Sequence, residues 1–196
     1  FNYQFIIDAF ESKEKSTKKQ TPWDVRVEEI MLINSDFAYK NEHDTLNTTG
    51  VNYFDLHTRA INGKFKNLQI DHDTIFASID HLSTVEKSGF ILSSISSSRV
   101  KVNAVEMKAT DLKIKTPHSD IATDLTFAYS RYRDYYDFID RVKMKAQFNH
   151  SQLEMDDIAY FAPELKGMTQ KLIISGKVSG KVNDLRGNDV TISSKT

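Results

Sequence analysis

Apolar and polar residues alternate with a period of two along much of this chain. Val142, Met144, Ala146 and Phe148 point one way, while Lys143, Lys145 and Gln147 point the other. A second row, Leu172, Ile174, Gly176, Val178, Gly180 and Val182, is opposed by Ser175, Lys177, Ser179 and Lys181. Alternation of this kind belongs to half-buried strands. It predicts a sheet with one apolar face and one polar, lysine-rich face. Gly176 and Gly180 fall on the apolar side, where a missing side chain permits bending or close approach.

A longer pattern recurs with a phase slip. Val25-x-Val27-x-x-Ile30-x-Leu32-x-x-x-Asp36-Phe37-x-Tyr39 matches Val100-x-Val102-x-x-Val105-x-Met107-x-x-x-Asp111-Leu112-x-Ile114. A third copy runs Ala146-x-Phe148-x-x-Ser151-x-Leu153-x-x-x-Asp157-Ile158-x-Tyr160, with a serine at its weakest position. A one-residue slip flips a strand's faces unless a bulge or tight turn intervenes. The simple reading is strand, two-residue turn, strand, Asp-marked turn, strand. The copies have no fixed spacing, so the chain is no regular solenoid; repeated β-meanders in an elongated sheet fit better. Residues 11–22 lack apolar periodicity and are expected to form a mobile charged connection. Residues 41–52 read as a loop. Tyr132, Tyr136 and Ile139 share a helical spacing, which predicts one or two helical turns within 129–140. Another is expected over 156–161, stopped by Pro163. The fold class is therefore mostly β: an elongated, curved antiparallel sheet, groove-like, with one or two short helical turns. The whole of 1–196 reads as a single β-rich segment, and its abrupt opening in strand-like alternation reads as that of a piece of a larger protein.

Composition narrows the chemistry. Lys and Arg total 26 against 27 Asp and Glu, for a net charge of −1, which gives no long-range field for nucleic acid. With no cysteine, disulfides, thiolate zinc sites and a Cys nucleophile are excluded. No apolar run approaches the roughly 20 residues of a membrane span. The six histidines, at 43, 57, 72, 81, 118 and 150, include no His-x-His pair that would place two ligands on one strand face. Asp156 and Asp157 are adjacent, and helix capping or turn formation accounts for them better than a shared acid–base cleft. Tyr129, Arg131, Tyr132, Arg133, Tyr135 and Tyr136 interleave aromatic and basic residues, as a stacking surface for bases or sugars does. Asp134, Asp137 and Asp140 cancel that charge, which favours a packed amphipathic turn. The serines near Gly89 form neither a Gly-x-Ser-x-Gly elbow nor a phosphate loop. Nothing here predicts an enzyme, a cofactor or a metal.

Several segments in order carry a resemblance. They are Tyr3-Gln4-Phe5-Ile6-Ile7-Asp8-Ala9-Phe10, Glu86-Lys87-Ser88-Gly89-Phe90 and Leu112-Lys113-Ile114-Lys115-Thr116-Pro117-His118-Ser119. Asp157-Ile158-Ala159-Tyr160-Phe161-Ala162-Pro163-Glu164-Leu165 and Ser175-Gly176-Lys177-Val178-Ser179-Gly180 follow. Together the set resembles the AsmA-like TamB translocation and assembly module proteins of Bacteroidetes-type bacteria, over most of the chain to about Leu185. The resemblance implies a long periplasmic protein, anchored in the inner membrane through sequence that this chain lacks, with a taco-shaped sheet apolar on its concave face. It implies a role in outer-membrane biogenesis and phospholipid transfer between membranes, and no catalytic residue.

The residues themselves agree with the resemblance at one point. A sheet with one apolar face must cover it with a second layer, or leave a groove open. Burial yields roughly 25 cal/mol per Å², so a groove can hold an acyl chain without hydrogen bonds. Its expected lining is Val142, Met144, Ala146, Phe148, Leu172, Ile174, Val178 and Val182, with phospholipid as the partner. A closed core remains the alternative for the face. For function, the alternatives are a scaffold that pairs its edge strands with outer-membrane barrel proteins, and a carbohydrate-binding module using the tyrosines near 132.

Overall fold

A computed structural model describes residues 24–40 and 50–195. The opening segment 3–10, the connection 11–22 and the 41–49 part of the expected loop lie outside the described residues. Nine strands follow one another: β1 (Asp24–Lys40), β2 (Asp55–Asp71), β3 (Thr74–Glu86), β4 (Ile91–Val102), β5 (Glu106–Lys115), β6 (Asp120–Ala128), β7 (Lys143–Glu154), β8 (Lys171–Lys181) and β9 (Asp184–Lys195). Each pairs antiparallel with its sequence neighbours, in the order β1 to β9. The result is one open, unclosed meander.

The expected helical turns are present. Residues 132–137 form a 3-10 turn that leads into α1 (Phe138–Arg141) between β6 and β7. Between β7 and β8 lie α2 (Met155–Ile158) and a second 3-10 turn over Pro163–Leu165. Helix α2 ends before the proline, which instead opens the following turn, where its missing N–H costs nothing.

The phase slips have a different cause from the turns the sequence suggests. Asp36 and Asp111 lie inside β1 and β5, and Asp157 lies in α2. Only the Val102–Val105 slip is a hairpin, where the Asn103 side chain accepts the N–H groups of Val105 and Glu106 at 3.1 and 2.8 Å. The Leu153–Asp157 slip is the exit of β7 into α2, and the rest are irregularities within long strands, which carry left-handed φ values at Asn34, Ala60, Asn67, Asp111, His150, Gly176 and Asp189. A residue bulged out of the ladder restores the apolar side to one face, but strands its own N–H. Side chains of neighbouring strands take up that donor. Asn34 N–H donates to Asn62 Oδ1 (3.0 Å), Ala60 N–H to Asp36 Oδ1 (3.2 Å), Asp111 N–H to Asp124 Oδ1 (2.8 Å) and His150 N–H to Ser175 Oγ (3.1 Å).

On β5 to β9 the bulges at Asp111, His150, Gly176 and Asp189 stay within two residues of the line through Leu112, Thr123, Phe148 and Gly176. Bulges bend strands and strengthen their twist, so this line is a crease across half the sheet. Glycine is required in its path. A Cβ on Gly176 would stand 2.3 Å from the Asp189 carbonyl oxygen; away from the crease, beside the β8–β9 turn, one on Gly180 would stand 2.1 Å from that of Asp184.

Candidate functional site

Register converts the alternation into rows that run across the sheet. At one level Val25, Ile70, Ile75, Val102, Met107, Phe127, Met144, Gly180 and Leu185 stand side by side, strand by strand. The next row on that face holds Val27, Leu68, Ala77, Val100, Ala109, Leu125, Ala146, Val178 and Gly187. Beyond the crease, Leu32, Gly63, Leu82, Ile95, Ile114 and Ile121 align on β1–β6, with Ser151, Ile174 and Ile192 at that level on β7–β9. Between them stand Ile30, Phe65 and Ile79 on β1–β3, and Thr123, Phe148 and Gly176 on β6–β8.

The reverse face is polar. Its row opposite the first two reads Arg26, Gln69, Phe76, Lys101, Lys108, Thr126, Lys145, Ser179 and Arg186. The one aromatic there is covered by a guanidinium, with Arg99 Cζ 4.7 Å from the Phe76 ring centre.

No second sheet or long helix packs on the apolar face among the described residues, since all nine of their strands lie in one sheet and their other elements are short helical turns. Side by side, nine strands span about 38 Å at ~4.8 Å each, and the rows extend about 20 Å along them. Continuous apolar faces of this extent mark sites of interaction when left uncovered. Most of its residues are half-buried, whereas Ala146, Leu112, Ser97, Thr123 and Ser151 are buried.

At one end the β6–β7 connection leans over this face. Phe138 of α1 meets Phe127 edge-on at 5.2 Å between ring centres. Buried Asp134 shapes the connection. It accepts the N–H groups of Ser130 and Arg131, and these, with the Arg131 guanidinium, hold its carboxyl below the usual range. Tyr129 is buried, with its hydroxyl donating to Asn103 O, while Tyr132 stays 54% exposed. At the other end Glu86 closes the β3–β4 hairpin, accepting the N–H groups of Ser88 and His57. Burial pushes its pKa up, but the hydrogen bonds centred on Ser88 outweigh that and leave it lowered.

Met144, Ala146, Phe148, Leu172, Ile174 and Val178 all stand on the apolar face, as the alternation requires. Val142 does not line it openly. It precedes β7, fully buried, and donates its N–H to Phe138 O. Val182 is also displaced, because Lys181 pairs with Asp184 and leaves Val182 and Asn183 as the hairpin turn. It is 41% exposed there. Asp156 and Asp157 do not cap α2, whose N-cap is Glu154. Most of the face, from Val25 to Phe127, was out of reach of the sequence, because bulges fix the register that assembles it.

Among the described residues no group of three or more His, Asp or Glu is placed to hold a metal ion. No helix among them is long and apolar enough to cross a membrane. Comparison with family models, curated proteins and solved structures found no match.

Proposed function

We propose that the apolar face binds phospholipid acyl chains, in a segment of a periplasmic envelope-biogenesis protein that is anchored to the inner membrane through sequence outside this chain and carries lipid between inner and outer membranes. One observation supports the reading above others: in-register apolar rows cross nine strands with no second sheet or long helix over them among the described residues. Hydrocarbon suits such a surface because it asks for no hydrogen bonds, and each buried CH₂ contributes about 0.8 kcal/mol. Ten buried methylenes therefore offset a binding cost of several kcal/mol. The polar reverse face keeps the sheet wetted while the apolar face is occupied. Mass spectrometry of an organic extract from purified protein tests the reading. Phospholipid at near-stoichiometric amounts supports it, whereas lipid-free preparations that also fail to take up a fluorescent fatty acid refute it.

A second reading is favoured by the edges. Among the described residues nothing pairs with the outer side of β1 or β9, and β1 presents Met31, Ile33 and Phe37 at 57%, 72% and 48% exposure. An unprotected edge is a template for strand addition, as a scaffold for outer-membrane barrel proteins requires. Crosslinkers on β1 and β9 then capture barrel strands, while those on central strands do not.

A further inference from the structure

The connections at the end of the sheet opposite α1 surround a cavity of about 590 Å³, within the range of small-molecule sites. The β7–β8 connection runs along this rim and is fastened to the β1–β2 connection by a hydrogen bond from Val51 N–H to Tyr160 O of 2.7 Å. Phe90 of the β3–β4 hairpin packs edge-on against Tyr160 and Phe161. Beneath them lies Asp157, 6% exposed. Its Oδ2 accepts the hydroxyls of Thr116 and of Ser119, the latter at 2.6 Å. Both hydroxyls are themselves fixed, since Thr116 Oγ1 accepts Ser119 N–H (2.8 Å) and Ser119 Oγ accepts Glu154 N–H (3.0 Å). Oδ1 accepts no hydrogen bond from any described residue, although Asp157 lines the cavity. Asp157 thus keeps one carboxylate oxygen open to a donor that enters the cavity. Exposed Asp156, His118 and Lys166 line the same space.

We infer that this rim cavity binds a small zwitterion through its primary ammonium group, which donates to Asp157 Oδ1, while Lys166 and His118 receive its anionic end. Two carboxylates against one lysine favour the cationic group beside Asp157, and a charge-assisted hydrogen bond to a carboxylate is the stronger kind. A quaternary ammonium has the charge but no N–H, so it lacks that bond. The site is separate from the apolar face and does not rest on acyl-chain binding.

Calorimetric titration with phosphoethanolamine, and with phosphocholine as the N–H-free analogue, tests this. Saturable binding of phosphoethanolamine is expected, with phosphocholine about ten-fold weaker. Asp157→Asn abolishes binding. Because that variant also disturbs the hairpin, Lys166→Gln is the parallel arm: its melting temperature stays unchanged while affinity falls about five-fold. Phosphatidylethanolamine vesicles that displace the bound probe assign the ammonium to a lipid headgroup, and failure to displace assigns it to a free zwitterion; both keep the site. Equal affinity for the two probes, no saturable binding of phosphoethanolamine, or wild-type affinity in Lys166→Gln overturns the inference.

Discussion

Ser151 sits where the apolar pattern of β7 demands a hydrophobic residue, and it is completely buried. Its hydroxyl accepts Ala122 N–H at 2.9 Å and donates to Ala122 O at 2.8 Å. The bulge at His150 pulls β7 out of register with β6 at this point, and the hydroxyl stands in for the two lost ladder bonds. Ser151→Ala leaves the part-buried N–H and carbonyl of Ala122 unmatched, each costing about 1–3 kcal/mol. A small apolar gain beside Ile174, which pairs with Ser151, offsets less than about 1 kcal/mol of this. The expected loss is about 3 kcal/mol. For a chain of this length that lowers the melting temperature by roughly 6–12 °C. Thermal and urea unfolding of Ser151→Ala beside Ser193→Ala, an exposed serine on β9, measures it; the control should move by no more than about 0.5 kcal/mol. A Ser151→Ala protein as stable as wild type would refute the reasoning that side chains satisfy the creases of this sheet.

Gly180→Ala should destabilise by about 2–4 kcal/mol, combining backbone strain at φ 129 with the approach of Asp184 O, whereas Gly167→Ala, at φ 90 with nothing near its Cβ, should cost only about 1 kcal/mol. Urea midpoints of the two variants decide it. Asp134, Asp55 and Glu86 all have lowered pKa values, through the backbone of Ser130 and Arg131, the Lys87 ammonium, and, against burial, the hydrogen bonds centred on Ser88. A carboxyl lowered in the folded state stabilises it above the unfolded pKa, about 4, and that contribution fades as pH falls through the folded value. Melting temperature should therefore drop steeply below about pH 4, and the gap between wild type and Asp134→Asn, present at pH 7, should narrow toward zero as pH falls. A gap that persists in acid contradicts this.

Sequence alternation located the strands around 142–148 and 172–180 and the lysine-rich reverse face, while the helical spacing of Tyr132, Tyr136 and Ile139 and the stop at Pro163 located the helical turns. It misread the slips because Asp serves equally well in a turn, in a left-handed bulge as at Asp111, and as acceptor for a bulged N–H as at Asp36. Asp36 and Asp111 carry the same local signal as turn residues, and only the strand beside them decides. Their role appears in partners 24 and 13 residues away, Ala60 and Asp124. The same distance hid the rows, since Val25 reaches Leu185 only through eight pairings, all but that of β4 with β5 shifted by single residues at bulges. Ser151 broke the apolar pattern visibly, but its reason lies on β6. Asp157 lay in a pair read as capping, and its partners Thr116 and Ser119 stand 41 and 38 residues away.

Leu125 and Thr126 are adjacent on β6 and face opposite ways, Leu125 beside Ala109 and Ala146, Thr126 beside Lys108 and Lys145. A photoreactive amino acid placed at each in turn, irradiated in cells and followed by mass spectrometry of the protein, compares the two faces with everything else held constant. Binding of acyl chains to the apolar face predicts phospholipid adducts at position 125 and none at 126. Adducts at neither position, or equally at both, would contradict it.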